Sequence, residues 1–565
     1  MSAALARALK LYKSNDPAAA IKALAPDLQA KKTLPLEVLL LAGQCFAKTE
    51  DWERASDYYN RAAKLAKANA PMLRALAANL LARTDKAYES MQTARTAARS
   101  GAFDAHAEEV YRRNLQEYLL LEESRQENER FLAALERGDK DMIGVEYPFM
   151  NINWCDDERI NAMMTNIKLS APLTELSRAA RRARPHTFNK PLKIGYLSCD
   201  FYSQHATMLL FRGVLEHHDP DVVDVTLFCY SDPKSYSYDD GWRSLQDKLV
   251  VIRDLSDEEA AAAIREAGID ILVDLKGHTR GGRGGILNIG GAPVQVAYLG
   301  FPGSGCGIDC DYIIGDHFVL PESSQPHYHE KFCRLPESYQ ANDNTRRADP
   351  PAATRASLGL PENRFVFASF NAVRKITHRT ATLWARILRE VPDSVLWMMC
   401  PSVFAQDNFL VWMTEQGIAR ERIIFAPFAD YAQHVARLKA ADLGLDTFPV
   451  NGHTTSSDKL WAGLPVATIK GRHFASRVTE SLLNGVGLPE LVAEDDEAYV
   501  ALCVALARDR ARLDALRRKL ADGRDSAPLY DTARFTRHLE EAYRIMAARA
   551  EAGLEPDHFD VPLLS

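Results

Sequence analysis

The chain has 565 residues, enough for roughly three or four domains of ordinary size. Apolar residues make up 47% and charged residues 26%, which provides for several cores and excludes a disordered chain. With 69 basic and 76 acidic side chains the net charge is −7, so nothing global favours nucleic acid.

No apolar run approaches the roughly 20 residues of a membrane-spanning helix. Nine scattered cysteines, and a start that runs from Met1-Ser2-Ala3-Ala4 straight into a charged amphipathic pattern, fit a cytoplasmic protein with reduced thiols. Cys306 and Cys310 lack the second cysteine pair of a zinc site.

The front of the chain, residues 1–145, is rich in Ala, Leu, Lys and Glu at helical spacing and predicts an all-α domain. Ala8, Leu11, Ala20 and Leu24 recur 35 residues later as Gly43, Phe46, Ala55 and Tyr59. Small residues at such places let paired helices approach, and the large ones fill the space between. Leu39, Ala42, Gly43, Phe46, Ala55, Tyr59 and Ala62 resemble the tetratricopeptide pattern, a superhelix with a concave groove for extended peptide. Residues 117–137 read as one charged helix, and 146–191 as a helical linker. Arg178, Arg181, Arg182 and Arg184 read as the solvated end of that linker.

From residue 192 apolar, β-branched runs alternate with helical stretches. Strands are expected over 192–198, 223–230, 249–252, 269–275 and 294–299, and helices over 207–217 and 257–267. A looser, proline-containing linker covers 346–361. The alternation then resumes, with strands over 365–370, 394–399, 422–425, 443–446 and 466–469. Helices fit 379–389, 403–415, 431–438 and 456–462, and a last long one 532–550. The pattern predicts two parallel, helix-flanked sheets: an N-terminal Rossmann-like lobe over 192–345, a C-terminal one over 362–530, and a terminal segment, 531–565, that packs back on the core. Ligands in such folds sit at the carboxyl ends of the strands.

One segment stands out. Asn451-Gly452-His453-Thr454-Thr455-Ser456-Ser457-Asp458 joins an expected strand end to a helix start. Free N–H groups there carry partial positive charge and attract phosphate. Two threonine hydroxyls and a histidine add polar groups, which suits a diphosphate. The same residues also fit a capping box, from Thr455 to Asp458. Gly281–Gly285 and Gly303–Gly307 match no dinucleotide fingerprint, and no Walker A lysine occurs. Asp309-Cys310-Asp311 has the D-x-D form of a metal site, beside glycine-rich turns.

Further segments join this one: Cys199-Asp200-Phe201-Tyr202-Ser203-Gln204-His205, Asp274-Leu275-Lys276-Gly277-His278-Thr279-Arg280, Leu299 to Gly305, Phe370-Asn371-Ala372-Val373-Arg374-Lys375-Ile376 and Ala475-Ser476-Arg477-Val478. In order and spacing the set resembles bacterial homologues of the protein O-linked N-acetylglucosamine transferases, over about residues 192–558. The resemblance implies an α/β fold of two Rossmann-like lobes (GT-B) behind a tetratricopeptide-like superhelix. It implies a UDP-sugar donor, no metal cofactor, and inverting transfer to Ser or Thr hydroxyls of a protein held in the repeat groove, with no nucleic acid or membrane partner.

The resemblance also implies site residues. Lys375 neutralises the diphosphate as the glycosidic bond breaks. His453, Thr454 and Thr455 hold the phosphates, and Asp458 accepts from sugar or ribose hydroxyls. Ala429, His434 and Arg437 match the base-binding segment. His205 and Asp240, with Asp239 beside it, fall near the acceptor, where His205 takes a proton or hydrogen-bonds the donor. Tyr431, Ala372 and Arg374 replace a lysine, a glutamine and a tyrosine of animal members, which leaves the sugar open. Two alternatives stand beside this reading: a UDP-glucose-dependent protein glucosyltransferase, and a UDP-binding adaptor with little catalysis.

Overall fold

The computed structural model describes residues 2–29 and 33–564. The chain divides into two compact units, Met1–Glu146 with Cys400–Glu415, and Tyr147–Met399 with Gln416–Ser565.

In the first unit Ala3–Lys13 pairs with Pro17–Leu28, Leu36–Lys48 with Trp52–Leu65, and Ala70–Leu81 with Ala87–Ala98; Ala105–Glu117 and Leu121–Glu136 follow. The 35-residue repeat sets the packing. Ala8, Ala20, Ala42 and Ala55 are fully buried. A methyl added at Gly43 would meet the Tyr59 ring at 3.1 Å, so the small residue admits the large one. The turns repeat as well. Asn15 and Glu50 both take φ 61°, and the residues after them, Asp16 and Asp51, cap the next helices by accepting from the Ala19 and Arg54 amides.

The stretch 71–101, degenerate in sequence, still forms a helix pair through Ala75, Ala78, Met91 and Ala94. The charged helix expected over 117–137 is present as Leu121–Glu136, and Leu119, left-handed at φ 53°, separates it from Ala105–Glu117. Val403–Glu415 belongs to this unit: Phe404 meets the rings of Tyr88 and Tyr118 edge-on, and Asn408 donates to the Tyr118 carbonyl at 2.8 Å.

The second unit holds two sheets. The front strands are β1 Leu192–Ser198, β2 Val223–Cys229, β3 Leu249–Val251, β4 Ile271–Asp274, β5 Val294–Ala297, β6 Tyr312–Asp316 and β7 Lys331–Leu335. The rear strands are β8 Phe365–Ser369, β9 Ser394–Met399, β10 Ile423–Ala426, β11 Leu443–Leu445, β12 Val466–Ile469 and β13 Val492–Ala493; the last strand of the chain, β14 Phe559–Asp560, returns to the front sheet. The orders are β14-β7-β6-β5-β4-β1-β2-β3 and β10-β9-β8-β11-β12-β13. The pairings are parallel, which is why these strands read as continuous apolar runs rather than alternations.

Strand order reverses at β1, between β4 and β2, and at β8, between β9 and β11. Such switch points open a crevice at the carboxyl ends of the strands. His205 follows β1 and Lys375 follows β8, so the sheet topology itself puts both at crevices. Side chains join the lobes: the Ser481 hydroxyl of the rear lobe donates to Asp316 at 2.6 Å, and Arg477 donates to Ser324 at 3.0 Å. The long helix Thr532–Glu551 leaves the rear lobe and packs on the front one. Tyr543 meets Tyr196 of β1 at 3.0 Å between hydroxyls, and Glu540 accepts from His218 at 2.9 Å.

The linker ahead of β1 is not a continuous helix. It forms short helices, Pro148–Asn151, Glu158–Asn161 and Glu175–Arg182, each begun by a proline at its first position or by a capping Asp157 or Thr174. Nor is most of its arginine cluster solvated; Arg184 alone of the four is exposed. Arg178 and Arg181 bond Asp309 at 2.8–3.1 Å, and Arg181 and Arg182 bond Asp311 at 2.8–3.0 Å. The D-x-D pair is thus taken up by guanidinium groups. Among the described residues no group of three or more His, Cys, Asp or Glu side chains could hold a metal ion.

Candidate functional site

The rear-lobe loop after β11 is built around Asp446, fully buried at the strand end. Its Oδ1 accepts from the Thr447 amide at 2.9 Å and the Gly452 amide at 2.7 Å, and Oδ2 from the Thr468 hydroxyl at 2.8 Å. One carboxylate therefore closes the turn Asp446 to Gly452 on itself and pins it to β12. Asn371, just past β8, ties in from the other side through the Thr447 hydroxyl at 3.0 Å.

Gly452 has to be glycine, because a Cβ there would press on Ser456 Oγ and lie 2.7 Å from Thr455 Oγ1. Gly452→Ala should therefore weaken pyrophosphate binding by more than tenfold while leaving the melting temperature within a few degrees, as calorimetric titration and thermal denaturation will show.

The helix Thr454–Trp461 starts here with His453 as its cap residue, and no side chain caps it. The Ser456 and Ser457 amides close back on the His453 carbonyl at 3.0 Å. Among the described residues the amides of Thr454 and Thr455 have no protein acceptor. The capping-box reading fails, since Thr455 Oγ1 donates to Asn371 Oδ1 at 2.5 Å instead of serving the helix start. Two open amides at a helix amino end make a candidate anion site.

Lys375 completes it. The short turn Val373–Lys375 carries its ammonium to the Asn451 carbonyl at 2.7 Å, two residues before His453. Burial, then the charges of Arg374 and Lys459, push Lys375 down to about 7 against the pull of Asp446. An anion arriving beside it would restore its proton. His453 is held well below its ordinary value, first by burial and then by the Lys375 charge. Its ring bonds the Ala475 backbone, and Nε2 is buried with no partner. With the proton on Nδ1, Nε2 accepts in the neutral ring and donates once protonated.

The base-binding candidates gather around Phe370. Arg437 lies over its ring at 4.6 Å and His434 meets it edge-on at 5.3 Å. Arg437 donates to His434 Nδ1 at 2.9 Å and to the Pro427 carbonyl at 2.6 Å, so it fixes both the imidazole and the loop that carries Ala429. Burial and the nearby charges of Arg437 and Lys459 push His434 down to about 3, leaving a neutral ring suited to stacking. Phe428, next to Ala429, is 90% exposed.

Asp458 does not stand free to meet a sugar. It is 4% exposed, and its Oδ1 accepts from Arg347 Nη1 at 2.7 Å and from the Tyr431 hydroxyl at 3.0 Å. Burial raises its carboxyl against the pull of Arg347. Arg347 also bonds Asn342 at 2.5 Å and Ser457 at 3.0 Å, so the stretch between the lobes, read as loose, is clamped to the site helix. Lys459, one residue on, is fully buried with its ammonium unpartnered, and burial pushes it down to about 8. Sequence reading gave no site role to Arg347, Lys459, Asn371 or Asp446. A lysine between Asp458 and Leu460-Trp461-Ala462 was the one available signal, a charge on an apolar helix face.

On the front lobe, His205 caps the helix Ala206–His217: Nδ1 accepts from the Thr207 amide at 3.2 Å. Nε2 lies 3.5 Å from Asp200 Oδ1. Lys276 holds Asp200 from the other side at 2.8 and 2.9 Å. Burial lowers the His205 value, opposed by Asp200 and aided by Lys276, so the ring is neutral near pH 7. Because Nδ1 is the acceptor of the cap, the neutral ring carries its proton on Nε2, the nitrogen nearest Asp200. Asp240 is exposed and pairs with Arg212 at 3.0 Å, which with bonds from Ser203 and Trp242 holds it below the usual carboxylate range. Asp239 is spent on the loop, accepting from the amides of Ser203, Gly241 and Arg243.

The structure thus joins Lys375, His453, Thr454 and Thr455 in one candidate anion cradle, and His434 and Arg437 in a second cluster, with Ala429 on the adjoining loop, linked to it through Tyr431 and Asp458. A separate cavity of about 480 Å³ opens beside Pro449 and Arg379 and is lined by none of the anticipated site residues.

Two doubly wound lobes with a candidate anion cradle at the strand ends have the architecture of GT-B glycosyltransferases. The model of glycosyl transferase family 41 matches residues 175–349 and 340–539, and the chain belongs to that family. It is 35% identical over 382 residues to the probable UDP-N-acetylglucosamine–peptide N-acetylglucosaminyltransferase SEC of Arabidopsis thaliana, covering 66% of this chain and 39% of that protein. It is 34% identical over 383 residues to the probable transferase SPINDLY of Hordeum vulgare, covering 66% and 40%. The chain thus spans about two fifths of the length of these curated relatives. A solved structure of a lysine-to-methionine mutant of the Thermobaculum terrenum O-GlcNAc transferase superposes with a TM-score of 0.69 at 26% identity, over 98% of each chain.

Proposed function

We propose that this protein is an inverting, metal-independent glycosyltransferase that moves N-acetylglucosamine from UDP-N-acetylglucosamine to Ser or Thr hydroxyls of proteins. The observation that carries the reading is the Lys375 ammonium on the Asn451 carbonyl, beside the open amides of Thr454 and Thr455. As the acceptor oxygen attacks the anomeric carbon, negative charge grows on the departing phosphate oxygen. An ammonium and a helix amino end aimed there stabilise that charge more than they stabilise the intact donor. The names of the family relatives supply the sugar and the peptide acceptor. The repeat superhelix offers a groove for that peptide.

At the acceptor end, the front-lobe crevice offers Nε2–H of His205 as a hydrogen-bond donor. Nδ1 of the same ring is engaged with the Thr207 amide and has no lone pair left for proton abstraction. His205 therefore orients a reactant oxygen through Nε2–H.

His205→Ala should lower stability by about 1 kcal/mol, the value of a helix cap, and turnover by about 10²-fold, as when a reactant loses a positioning contact. His205→Asn keeps a capping side chain and should restore the stability but not the turnover, as denaturant titration and initial rates will separate.

The test of the reading is incubation with labelled UDP-N-acetylglucosamine and UDP-glucose and a peptide library, followed by mass spectrometry. Transfer from the first sugar supports it, and transfer from glucose alone assigns a glucosyltransferase. UDP binding with transfer from neither leaves an adaptor. Because Asp309 and Asp311 are committed to arginines, chelation by EDTA should change the rate by less than twofold, measured at fixed ionic strength. A cytoplasmic setting is part of the proposal. It is supported by nine free cysteines and by the finding that no helix among the described residues is long and apolar enough to cross a membrane.

A further inference from the structure

The arginine cluster of the linker is not wholly consumed by Asp309 and Asp311. Among the described residues Arg184 makes no ion pair; its Nη1 donates to the Gly290 carbonyl at 3.1 Å. Arg265, in the last turn of the helix Asp257–Glu266, donates Nη1 to the same carbonyl at 2.8 Å and likewise makes no ion pair among them. One carbonyl oxygen therefore gathers two guanidinium groups, whose like charges repel. Burial and the Arg184 charge push Arg265 down, while neighbouring Glu266 draws it up. The other acids nearby are taken. Asp270 bonds His186 at 2.6 Å and the Lys193 amide at 2.7 Å, and Asp311 is held by Arg181 and Arg182.

The two arginines and His186 line a hollow of about 110 Å³ floored by Ile269 and Pro293. At about 30 Å³ per water, this is room for three or four waters or for one tetrahedral oxyanion. Arg184, His186 and Pro293 also wall an adjoining hollow of about 170 Å³ that includes Phe188, Tyr312 and Leu554. Both lie at the amino ends of β4 and β5, the end of the front sheet opposite His205.

The geometry points to a second anion site, in which Arg184 and Arg265 bind the phosphoryl oxygens of a small phosphate monoester whose organic part fills the adjoining hollow. Planar guanidinium groups offer paired donors to such oxygens, and the ligand's charge would relieve the repulsion between them.

Calorimetric titration of the full chain with phenyl phosphate tests this, comparing the native protein with Arg184→Gln, Arg265→Gln and the double variant. The catalytic cradle is intact in all four, so its uptake is common to them. The native protein should bind one equivalent more than the double variant, and each single variant should lose at least tenfold in affinity at that extra site. Crystals soaked in tungstate should show the ion between the two guanidinium groups. Identical isotherms for the native protein and the double variant, or soaked crystals with no ion there, would overturn the proposal. Arg184 is exposed, so Arg184→Gln keeps the fold and remains informative if Arg265→Gln does not.

Discussion

Lys375→Met should abolish sugar transfer, by 10²–10³-fold or more, and at the same time raise the melting temperature. In the proposed reaction the loss follows from removing the donor that faces the departing phosphate, a type of interaction worth about 3–4 kcal/mol in the transition state. The gain follows from burial. Lys375 is pushed down to about 7 in the folded protein, whereas an unfolded lysine titrates near 10.5. Between those values the unfolded chain binds more protons than the folded one, so stability rises with pH across that window, and below 7 the full cost of the buried charge is present. Methionine removes that cost while keeping the length of the side chain. Denaturation scans at pH 6.5 and pH 9 should therefore show the stabilisation to be larger at the lower pH. Diphosphate affinity should fall as pH rises through about 7, where the free protein loses the ammonium, and Lys375→Met should flatten that dependence. A variant with native turnover would remove Lys375 from the proposed role.

Arg347→Ala should be the most damaging single change to the fold of the site, lowering unfolding free energy by about 3–5 kcal/mol, as expected when one partner leaves a buried ion pair. Arg347 and Asp458 have side chains 2% and 5% exposed and lie 2.7 Å apart, so truncation strands a carboxylate that water cannot reach. Asp458→Asn keeps an acceptor for the Tyr431 hydroxyl and should cost less. Urea unfolding measures both. Since Arg347 also holds Asn342 and Ser457, its loss should weaken nucleotide binding even where the protein stays folded.

Much of this was legible in the sequence because parallel strands are buried on both faces and announce themselves as apolar runs. β1, β9 and β12 fall on the expected residues. β6 and β7 were missed: the first follows a glycine-rich stretch read only as turn, and Lys331 and Arg334 break the second. The cradle was legible because a strand end, a turn and a helix start are local, so His453, Thr454 and Thr455 could be placed from neighbours in the chain. The pairing of Asp458 with Arg347 was not, since the two are 111 positions apart and nothing local announces the partner. The same holds for Arg181, which finds Asp309 across 128 positions and turns an apparent metal motif into a structural clamp.

The helix Thr532–Glu551 and the strand β14 give the front lobe its last pieces, because Tyr543 closes over β1 and Phe559 pairs beside Cys333 of β7. A ribosome delivers these pieces only after the entire rear lobe has emerged. The front sheet must therefore wait, with one edge strand unpaired and the Tyr196 side of its core uncovered, so the lobe begun first is finished last.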